Sequence, residues 1–437
     1  MKNMNFIKHS MIFGLMVAVV SLASCKKDEN AGNSLAPVIR GVHLEDAQSS
    51  VPDRLVDFAR LGQTIRLDGA NFLGVYKVYI NGYDCAFNST LVSDNSMIVS
   101  VDSKVPTMDA DPAVRNTITV EKKNGKSTTI DFEIRASAPS ISGVSHTMPQ
   151  AGDVITITGA GLQGVTQVLF PGNISGTDIT SDDEDGEWCR VTVPSGITTS
   201  GSLFVTGANG GAYSSASFNF KEGLLHNFDD VQNYAWGSGV DNTPLTDVIP
   251  ASGDMPRSQG GYQVFNATGN LAGSSDQRFW LNSTNVMTIM GVIPTSTSTD
   301  NCGIQMDIYV EGAWNSGVIR FAMADGWGAS RYSMLYQPVY VNGTTYDQAA
   351  FVNPGCWFTI TLPFSLSDDF GGKSIGDVIA QMNLASYKQA GPWFENSGIS
   401  GVFDPVPATE KVYFDNIRVV PLNVPAYSDF PDEEETE

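Results

Sequence analysis

An internal repeat of ninety residues constrains the fold of this chain more than any other feature. Five positions of the first copy recur ninety residues later: Gly62, Gly69, Gly74, Val78 and Gly82 correspond to Gly152, Gly159, Gly164, Val168 and Gly172. Residues 64–67 and 154–157 point their side chains alternately to two faces, as half-buried strands do. Glycine is suited to places where a chain turns or passes close to another backbone. The repeat therefore predicts one small β-sandwich per copy.

The two copies resemble the IPT/TIG family of immunoglobulin-like domains. Each copy begins with a similar stretch of sequence, at residues 36–42 and 138–144. In each, the strand bounded by glycines follows. The resemblance covers residues 36–136 and 137–222, with Leu162 standing where the family often has phenylalanine. It implies that both domains act as spacers. Neither copy carries a catalytic constellation.

The last two hundred residues differ in character, since six of the seven tryptophans fall after Gly223. A Phe-Asp pair stands near each end of this segment, at Phe228 and at Phe414. This arrangement predicts that the first and last strands of one larger domain, residues 223–422, lie side by side, and it resembles β-sandwich carbohydrate-binding modules. The chain is thus predicted to be all-β, with two tandem immunoglobulin-like sandwiches followed by a larger jelly-roll sandwich.

The N-terminal residues indicate where the protein is placed. Lys2 and Lys8 precede an apolar run at residues 11–20, which is too short to span a bilayer. Residues 1–24 are therefore predicted to be a signal peptide. The small residues before Cys25 resemble the lipobox of bacterial lipoproteins, which implies a lipidated Cys25, a linker at residues 25–35 and stable membrane anchoring. Residues 26–30 resemble the signal that takes Bacteroidetes lipoproteins to the outer face of the outer membrane; a periplasm-facing lipoprotein is the alternative.

Charge and cysteine content restrict the partners further. The formal net charge is −22 at pH 7, which argues against nucleic acid and anionic lipid headgroups as partners. The dense acidic run at the C-terminus predicts a disordered acidic tail over residues 423–437. No cysteines show metal-ligand spacing, and Cys302 and Cys356 are predicted either to pair or to remain buried free thiols.

Together, the lipobox, the export signal, the two spacers and the aromatic terminal domain resemble a Bacteroidetes surface glycan-binding protein of a polysaccharide utilisation locus. The most similar type carries a C-terminal xyloglucan- or β-glucan-binding domain. The resemblance implies a non-catalytic lipoprotein without a cofactor. Such a protein captures a neutral polysaccharide, such as xyloglucan or mixed-linkage glucan, for a neighbouring transporter complex.

Aromatic side chains suit such a ligand, because they offer flat apolar area at a small entropic cost. Trp327, Trp314 and Trp393 stand in loop-like contexts and are expected to face outward. Tyr332 and Tyr336, four residues apart on one strand, are expected to share a face. The predicted glycan-binding residues are Trp327, Trp314, Trp393, Tyr336, Tyr332 and Trp280.

Other aromatic residues receive a different interpretation. Trp357, Phe228 and Phe414 lie within strand-like runs and are expected in the core. The positions of Trp236 and Trp280 are compatible with either loop or core.

Two other functions stay open at this level. A surface glycoside hydrolase needs two carboxylates across the scissile bond, and Asp307 is the acid that the pattern places on a concave sheet. An adhesin that binds host glycoprotein would use the same aromatics. A structural calcium ion near Asp229 or Asp415 is left undecided, because these acids equally cap turns. The acidic residues 182–185 are interpreted as a solvated loop.

Overall fold

The structure, a computed structural model, consists of three β-sandwiches in sequence order, which confirms the all-β prediction. It describes residues 34–45, 51, 53–238, 260–266, 277–324, 332–341, 345–386, 388–396 and 406–430. Cys25 and Trp327 lie outside the described residues. Within those ranges, no helix is long and apolar enough to cross a membrane.

The described residues of the first sandwich form ten strands. These are β1 (Val38–Leu44), β2 (Arg54–Leu55), β3 (Phe58–Arg60), β4 (Thr64–Ala70), β5 (Val75–Ile80), β6 (Tyr83–Cys85), β7 (Ser96–Ser100), β8 (Thr117–Lys122), β9 (Ser127–Asp131) and β10 (Glu133–Arg135). One sheet has the order β2-β1-β4-β7 and the other β6-β5-β8-β9, while β3 and β10 pair in parallel. Ile65 and Leu67 of β4 point into the core, as the alternation predicts.

The second sandwich repeats this plan with eight strands among its described residues. They are β11 (Ser140–Val144), β12 (Val154–Ala160), β13 (Gln167–Phe170), β14 (Ile174–Ser175), β15 (Thr177–Ser181), β16 (Trp188–Thr192), β17 (Phe204–Gly207) and β18 (Gly210–Tyr213). The sheet orders are β11-β12-β16-β15 and β14-β13-β17-β18. Ile155 and Ile157 of β12 are buried in its core, so they are the counterparts of Ile65 and Leu67.

One repeated glycine allows backbone to pack on backbone in both sandwiches. A Cβ on Gly69 would lie 1.8 Å from the carbonyl oxygen of Val38, and one on Gly159 would lie 1.9 Å from that of Ser140. In each sandwich this close approach accompanies a register shift between the first strand and its partner. The glycine is therefore required by a bulged strand pair.

Gly159→Ala is expected to lower the free energy of unfolding of the second sandwich by about 2–3 kcal/mol, because main-chain atoms cannot move aside for the added methyl group. Urea denaturation followed by circular dichroism measures the loss. The control is Gly371→Ala, whose Cβ would meet no atom closer than 3.9 Å. A loss no larger than that of the control would contradict the prediction.

The C-terminal sandwich contains twelve strands and two helices among its described residues. They are β19 (Leu224–His226), β20 (Tyr234–Ser238), β21 (Gln263–Asn266), β22 (Gln277–Leu281), α1 (Ser283–Met290), β23 (Cys302–Glu311), β24 (Val318–Ala324), β25 (Ser333–Tyr336), β26 (Tyr340–Val341), β27 (Thr345–Tyr346), β28 (Phe358–Pro363), α2 (Ile375–Leu384), β29 (Gln389–Glu395) and β30 (Lys411–Pro421). Sheet I has the order β19-β30-β23-β28, with β21 also on β30, and sheet II has the order β20-β22-β29-β24-β25. The pairing of β19 with β30 confirms that the first and last strands lie side by side.

The main core of this domain lies between sheets I and II. Phe279 and Phe321 enter it from sheet II, and Ile304 and Phe414 enter it from sheet I. Phe228 is buried in the same cluster. The prediction that Phe228 and Phe414 are core residues is therefore confirmed.

A neutral histidine is enclosed by this core. The ring of His226 lies 4.4 Å from that of Phe228 and 5.1 Å from that of Phe279. Its Nδ1 accepts a hydrogen bond of 2.9 Å from the backbone N–H of Asn233. Burial lowers the pKa of His226 to about 4. The folded protein thus leaves this imidazole neutral at pH values where the unfolded chain protonates it.

Stability is expected to fall as the pH drops from about 6.5 to about 4, by about 3 kcal/mol from this residue, because only the unfolded state then binds the proton. His226→Asn retains an acceptor for Asn233 and removes the titration, so its stability should depend less on pH in this window. Guanidinium unfolding at neutral pH and near pH 4, followed by tryptophan fluorescence, measures both dependences. Equal dependences in the two proteins would disprove the assignment.

The chain beyond β30 differs from its sequence-based prediction. Disorder over residues 423–437 is wrong for residues 423–430, which run along the second sandwich to the first. The ring of Tyr427 lies 5.3 Å from that of Phe204, and Phe430 stacks on Phe58 at 5.4 Å. These two aromatic side chains anchor residues 423–430, in which Asp429 is the one acidic residue. Residues 431–437 lie outside the described part of the chain.

Candidate functional site

The outer face of sheet II carries indole and charged side chains. In β22, Phe279 and Leu281 belong to the core, so Arg278 and Trp280 point to the opposite face. The same alternation in the neighbouring strands extends this face. We call it the polar face and define it by Trp236, Arg278, Trp280, Arg320, Ser333, Trp393 and Glu395.

Trp393 lies between two arginines on this face. It is the register partner of Arg278 on one side and of Arg320 on the other. The guanidinium carbons lie 4.8 Å and 5.6 Å from the indole centroid, within the range of cation–π attraction. The indole is therefore held in a fixed orientation by its two neighbouring strands.

A buried ion pair lies beside Trp393 on the same face of the sheet. Nη2 of Arg320 lies 2.7 Å from Oε2 of Glu395, and its Nη1 donates to Oγ of Ser333 at 2.6 Å. All three side chains are buried. A buried ion pair is weak support for stability, and here it fixes the side chains of two neighbouring strands relative to each other.

Trp236 brings the polar face to the edge of the sheet. It lies opposite Trp280 across β20 and β22, and it is 52% exposed whereas Trp280 is 6% exposed. Further along the same row stand two small residues, Gly391 and Ala322, which are register partners. A Cβ on Gly391 would lie 2.1 Å from the carbonyl oxygen of Phe279. Across neighbouring strands, the polar face therefore presents the exposed indole of Trp236, then the buried indole of Trp280, and then two positions without large side chains.

Three residues predicted to contact a ligand pack on the core side instead. Trp314 is 1% exposed, and its indole N–H donates to the carbonyl oxygen of Gly317 at 3.1 Å. Tyr336 packs against Trp314 with ring centroids 5.8 Å apart, and Tyr332 packs against Phe370 at 5.4 Å. The two tyrosines share a face as predicted, but it is the core face. The outward orientation expected of Trp314 is thus wrong, and the tyrosines do not extend an outer platform, because neither alternation nor loop-like composition says which face of a sheet is covered.

The other predicted residues have different outcomes. Trp280 and Trp393 come together on the polar face, where Trp393 is 3% exposed and lies in β29 rather than in a loop. Their contact with a glycan stays a prediction, as does that of Trp327, which lies outside the described residues. Trp357 is buried as predicted, but in a separate cluster with Tyr262 and Tyr413.

Sequence reasoning missed Arg278 and Arg320 and left Trp236 undecided. A signal existed in β22, where arginine and tryptophan alternate with phenylalanine and leucine. It shows that Arg278 and Trp280 share a face. It could not show that Trp393 and Arg320, far away in the sequence, stand beside them.

The acid singled out for hydrolysis is part of a buried cluster between domains. Asp307 is 1% exposed, and it accepts hydrogen bonds from Nη2 of Arg418 at 3.0 Å and from Oγ1 of Thr359 at 2.5 Å. Nε2 of His146, from the second sandwich, lies 3.5 Å from it. Burial alone would raise the pKa of Asp307, but the charges of Arg418 and then His146 hold it well below its usual range. The carboxylate is therefore an ionised structural group.

Asp307 and Glu395, two of the described acids of this domain, do not face each other. Asp307 lies on the outer face of sheet I and Glu395 on the outer face of sheet II, so the two point away from each other across the sandwich. Glu311 pairs with Lys411 at 2.7 Å. Burial raises the pKa of Glu410, but this residue is fully buried. Glycoside hydrolysis needs two carboxyl groups on either side of one bond.

Metal and thiol chemistry receive little support from the described residues. Within them, no group of three or more His, Cys, Asp or Glu side chains is arranged to hold a metal ion. Asp229 accepts from the backbone N–H of Gly261 at 2.8 Å, and Asp415 accepts from that of Asn416 at 2.6 Å. The structure contains Cys302 and Cys356 as free thiols.

The C-terminal sandwich, with its polar, indole-rich sheet face, follows two immunoglobulin-like sandwiches in the chain. Residues 218–421 match the family model described as surface glycan-binding protein B xyloglucan binding domain. This match covers the C-terminal domain, and the resemblance to Bacteroidetes surface glycan-binding proteins is confirmed.

Several known proteins are similar to this chain over most of its length. An IPT/TIG domain-containing protein of Bacteroides ovatus is 25% identical over 379 residues, which span 82% of this chain and 69% of that protein. The crystal structure of surface glycan-binding protein PbSGBP-B from Prevotella bryantii has a TM-score of 0.62 at 19% identity, covering 90% of this chain and 100% of that one. An SGBP-B from a complex xyloglucan utilization locus in Bacteroides uniformis has a TM-score of 0.47 at 20% identity, covering 89% and 100%. The Prevotella structure shows that the fold extends over all three sandwiches.

Proposed function

We propose that the protein binds a neutral β-glucan, such as xyloglucan or mixed-linkage glucan, along the polar face and does not cleave it. The observation that carries this proposal is the row of indoles on one sheet face, with Trp236 opposite Trp280 and Trp393 held between Arg278 and Arg320. The description of the matched domain family, which names xyloglucan, supports the choice of ligand class.

The chemistry of the polar face suits a sugar polymer. Indole rings present flat apolar surfaces to the C–H faces of pyranose rings. The half-exposed indole of Trp236 offers such a surface, whereas Arg320, Glu395 and Ser333 are buried and bonded to one another, so that they brace this face from within. A neutral polysaccharide gains nothing from a basic surface, so a net charge of −22 does not oppose its binding.

The positions of two acids support binding without hydrolysis. Asp307 is neutralised by Arg418, and Glu395 is neutralised by Arg320. A general acid needs a raised pKa next to the substrate, whereas these carboxylates are paired with cations on opposite faces of the sandwich.

The proposal includes attachment to the outer membrane through a lipidated Cys25, with the polar face displayed on the cell surface close to a glycan transporter complex. It rests on the small residues before Cys25 and on the charged residues 26–30. Metabolic labelling with a fatty acid is expected to tag the parent chain and not the Cys25→Ala variant. Labelling of both proteins would refute lipidation at this residue.

Affinity electrophoresis of the chain lacking residues 1–25 tests the function. Separate gels contain xyloglucan, mixed-linkage glucan or mannan, and a reducing-end assay is run on the same mixtures. Retardation by a β-glucan without new reducing ends is expected. New reducing ends would identify a hydrolase, and an unretarded band in every gel would move the assignment to an adhesin.

A further inference from the structure

The last described residues, 422–430, contact all three sandwiches, and we call this segment the C-terminal strap. At its start, the backbone N–H of Leu422 donates to the carbonyl oxygen of Asn301 in the C-terminal sandwich at 2.8 Å. At its end, Phe430 stacks on Phe58 of the first sandwich, with centroids 5.4 Å apart and planes inclined by 10°. Nine extended residues reach about 30 Å. The strap runs from the third sandwich past the second to the first.

Over the second sandwich the strap occupies a fitted position. The carbonyl oxygen of Asn423 accepts from the backbone N–H of Ala216 at 3.0 Å. The ring of Tyr427 lies 5.3 Å from that of Phe204. A Cβ on Gly211 would lie 2.8 Å from Cζ of Tyr427. The absence of a side chain at Gly211 makes room for the ring of Phe204 and for the ring of Tyr427 that packs on it.

At its far end the strap inserts one carboxylate between two cations. Asp429 forms ion pairs with Arg60 and with Arg135, the second at 3.3 Å. These arginines are register partners at the ends of β3 and β10, so their charges lie side by side. The side chains of Arg60 and Asp429 are only 13% and 14% exposed, which limits screening by solvent and salt. Asp429 therefore offsets the repulsion between two neighbouring guanidinium groups.

The same cluster includes the second sandwich. Nη1 of Arg60 donates to the carbonyl oxygen of Asn209 at 2.8 Å, and the backbone N–H of Ala136 donates to Oδ1 of Asn209 at 2.8 Å. Asn209 stands in the turn between β17 and β18. A Cβ on the next residue, Gly210, would lie 2.8 Å from Oδ1 of Asp429. The strap therefore closes the junction at which the first and second sandwiches meet.

Domains joined by short linkers move relative to one another unless their interface is large. We propose that the C-terminal strap ties the three sandwiches into one rigid arm, so that the polar face keeps a fixed distance and direction from the first sandwich. A segment fixed to the first and third sandwiches constrains both junctions at once, because either bend would pull it from a contact. This role is independent of whether the polar face binds glycan.

Distance measurements between the outer sandwiches test the proposal. Spin labels are placed at two exposed positions, Leu91 in the first sandwich and Leu384 in the third, in the chain from residue 26 onward with Cys356 replaced by serine. Pulsed electron spin resonance is expected to give a narrow distance distribution. Asp429→Ala combined with Phe430→Ala should broaden it at least about twofold, as for independently moving domains.

Matched variants separate loss of the strap from loss of folding. A chain that ends at Phe430 loses acidic residues but none of these contacts, so its distribution should equal that of the parent. Tyr427→Ala, which removes a ring contact and no charge, should broaden the distribution by a smaller amount. Circular dichroism and glycan affinity of each variant are expected to match the parent. An unchanged width in both the double variant and Tyr427→Ala would overturn the proposal.

Discussion

Replacing Trp236 by alanine is expected to weaken binding of the recognised β-glucan at least about tenfold and to leave the fold intact. The indole is half exposed on the edge strand β20, so its removal costs little packing. Tryptophans at binding sites commonly contribute about 2 kcal/mol or more, and about 1.4 kcal/mol corresponds to a factor of ten. Isothermal titration calorimetry of parent and variant measures the ratio of affinities.

Tyr76→Ala is the control for this experiment, since Tyr76 is an exposed aromatic residue of the first sandwich. Its affinity is expected to equal that of the parent if the first sandwich is only a spacer. Weaker binding by this control would assign the first sandwich a part in recognition. Unaltered affinity in Trp236→Ala would place the ligand away from the polar face, and Trp327→Ala would then be the next variant to measure.

Replacing Asp307 by alanine is expected to lower the free energy of unfolding by about 3–5 kcal/mol, because it leaves the buried guanidinium of Arg418 without its counter-charge. The variant also loses the contact with His146 and should loosen the junction between the second and third sandwiches. Guanidinium denaturation at neutral pH, followed by tryptophan fluorescence, measures the loss. Because the pKa of Asp307 lies below its usual range, its contribution is present at neutral pH and disappears only in acid.

An exposed ion pair of the first sandwich provides the comparison. Asp84 lies 2.9 Å from Lys77 on the surface, and Asp84→Ala is expected to cost less than about 1 kcal/mol. Combining Asp307→Leu with Arg418→Met removes both buried charges and should recover part of the loss. If Asp307→Ala were no more destabilising than Asp84→Ala, the buried cluster would not hold the junction.

The sandwiches themselves could be predicted because their causes are local. Alternation at Ile65 and Leu67, and again at Ile155 and Ile157, identifies strands with one buried face. The repeated glycine at Gly69 and Gly159 marks the same bulge in both copies, since no other residue fits between the strands. Phe228 and Phe414 mark the strands that bracket the last domain, and they meet in its core.

The candidate site could be predicted only in part. The sequence places Arg278 and Trp280 on one side of their strand and Phe279 on the other, but it does not show which side is covered. Trp314 stands in a stretch with asparagine and glycine that is typical of a loop, yet its indole is buried in the core. Such a composition predicts the local backbone conformation. It does not predict which residues from elsewhere in the chain pack against the side chain.

The sequence by itself determined the order of three β-sandwiches, their strand periodicity and the pairing of the first and last strands of the third. Only the tertiary structure decided which indoles share the polar face, that Asp307 is sealed between domains and that the acidic C-terminal segment begins as a strap. The physical reason is the sequence separation over which each kind of interaction acts. Periodicity and turn chemistry act over a few residues, whereas the partners of Trp393, Asp307 and Asp429 come from strands or domains distant in sequence.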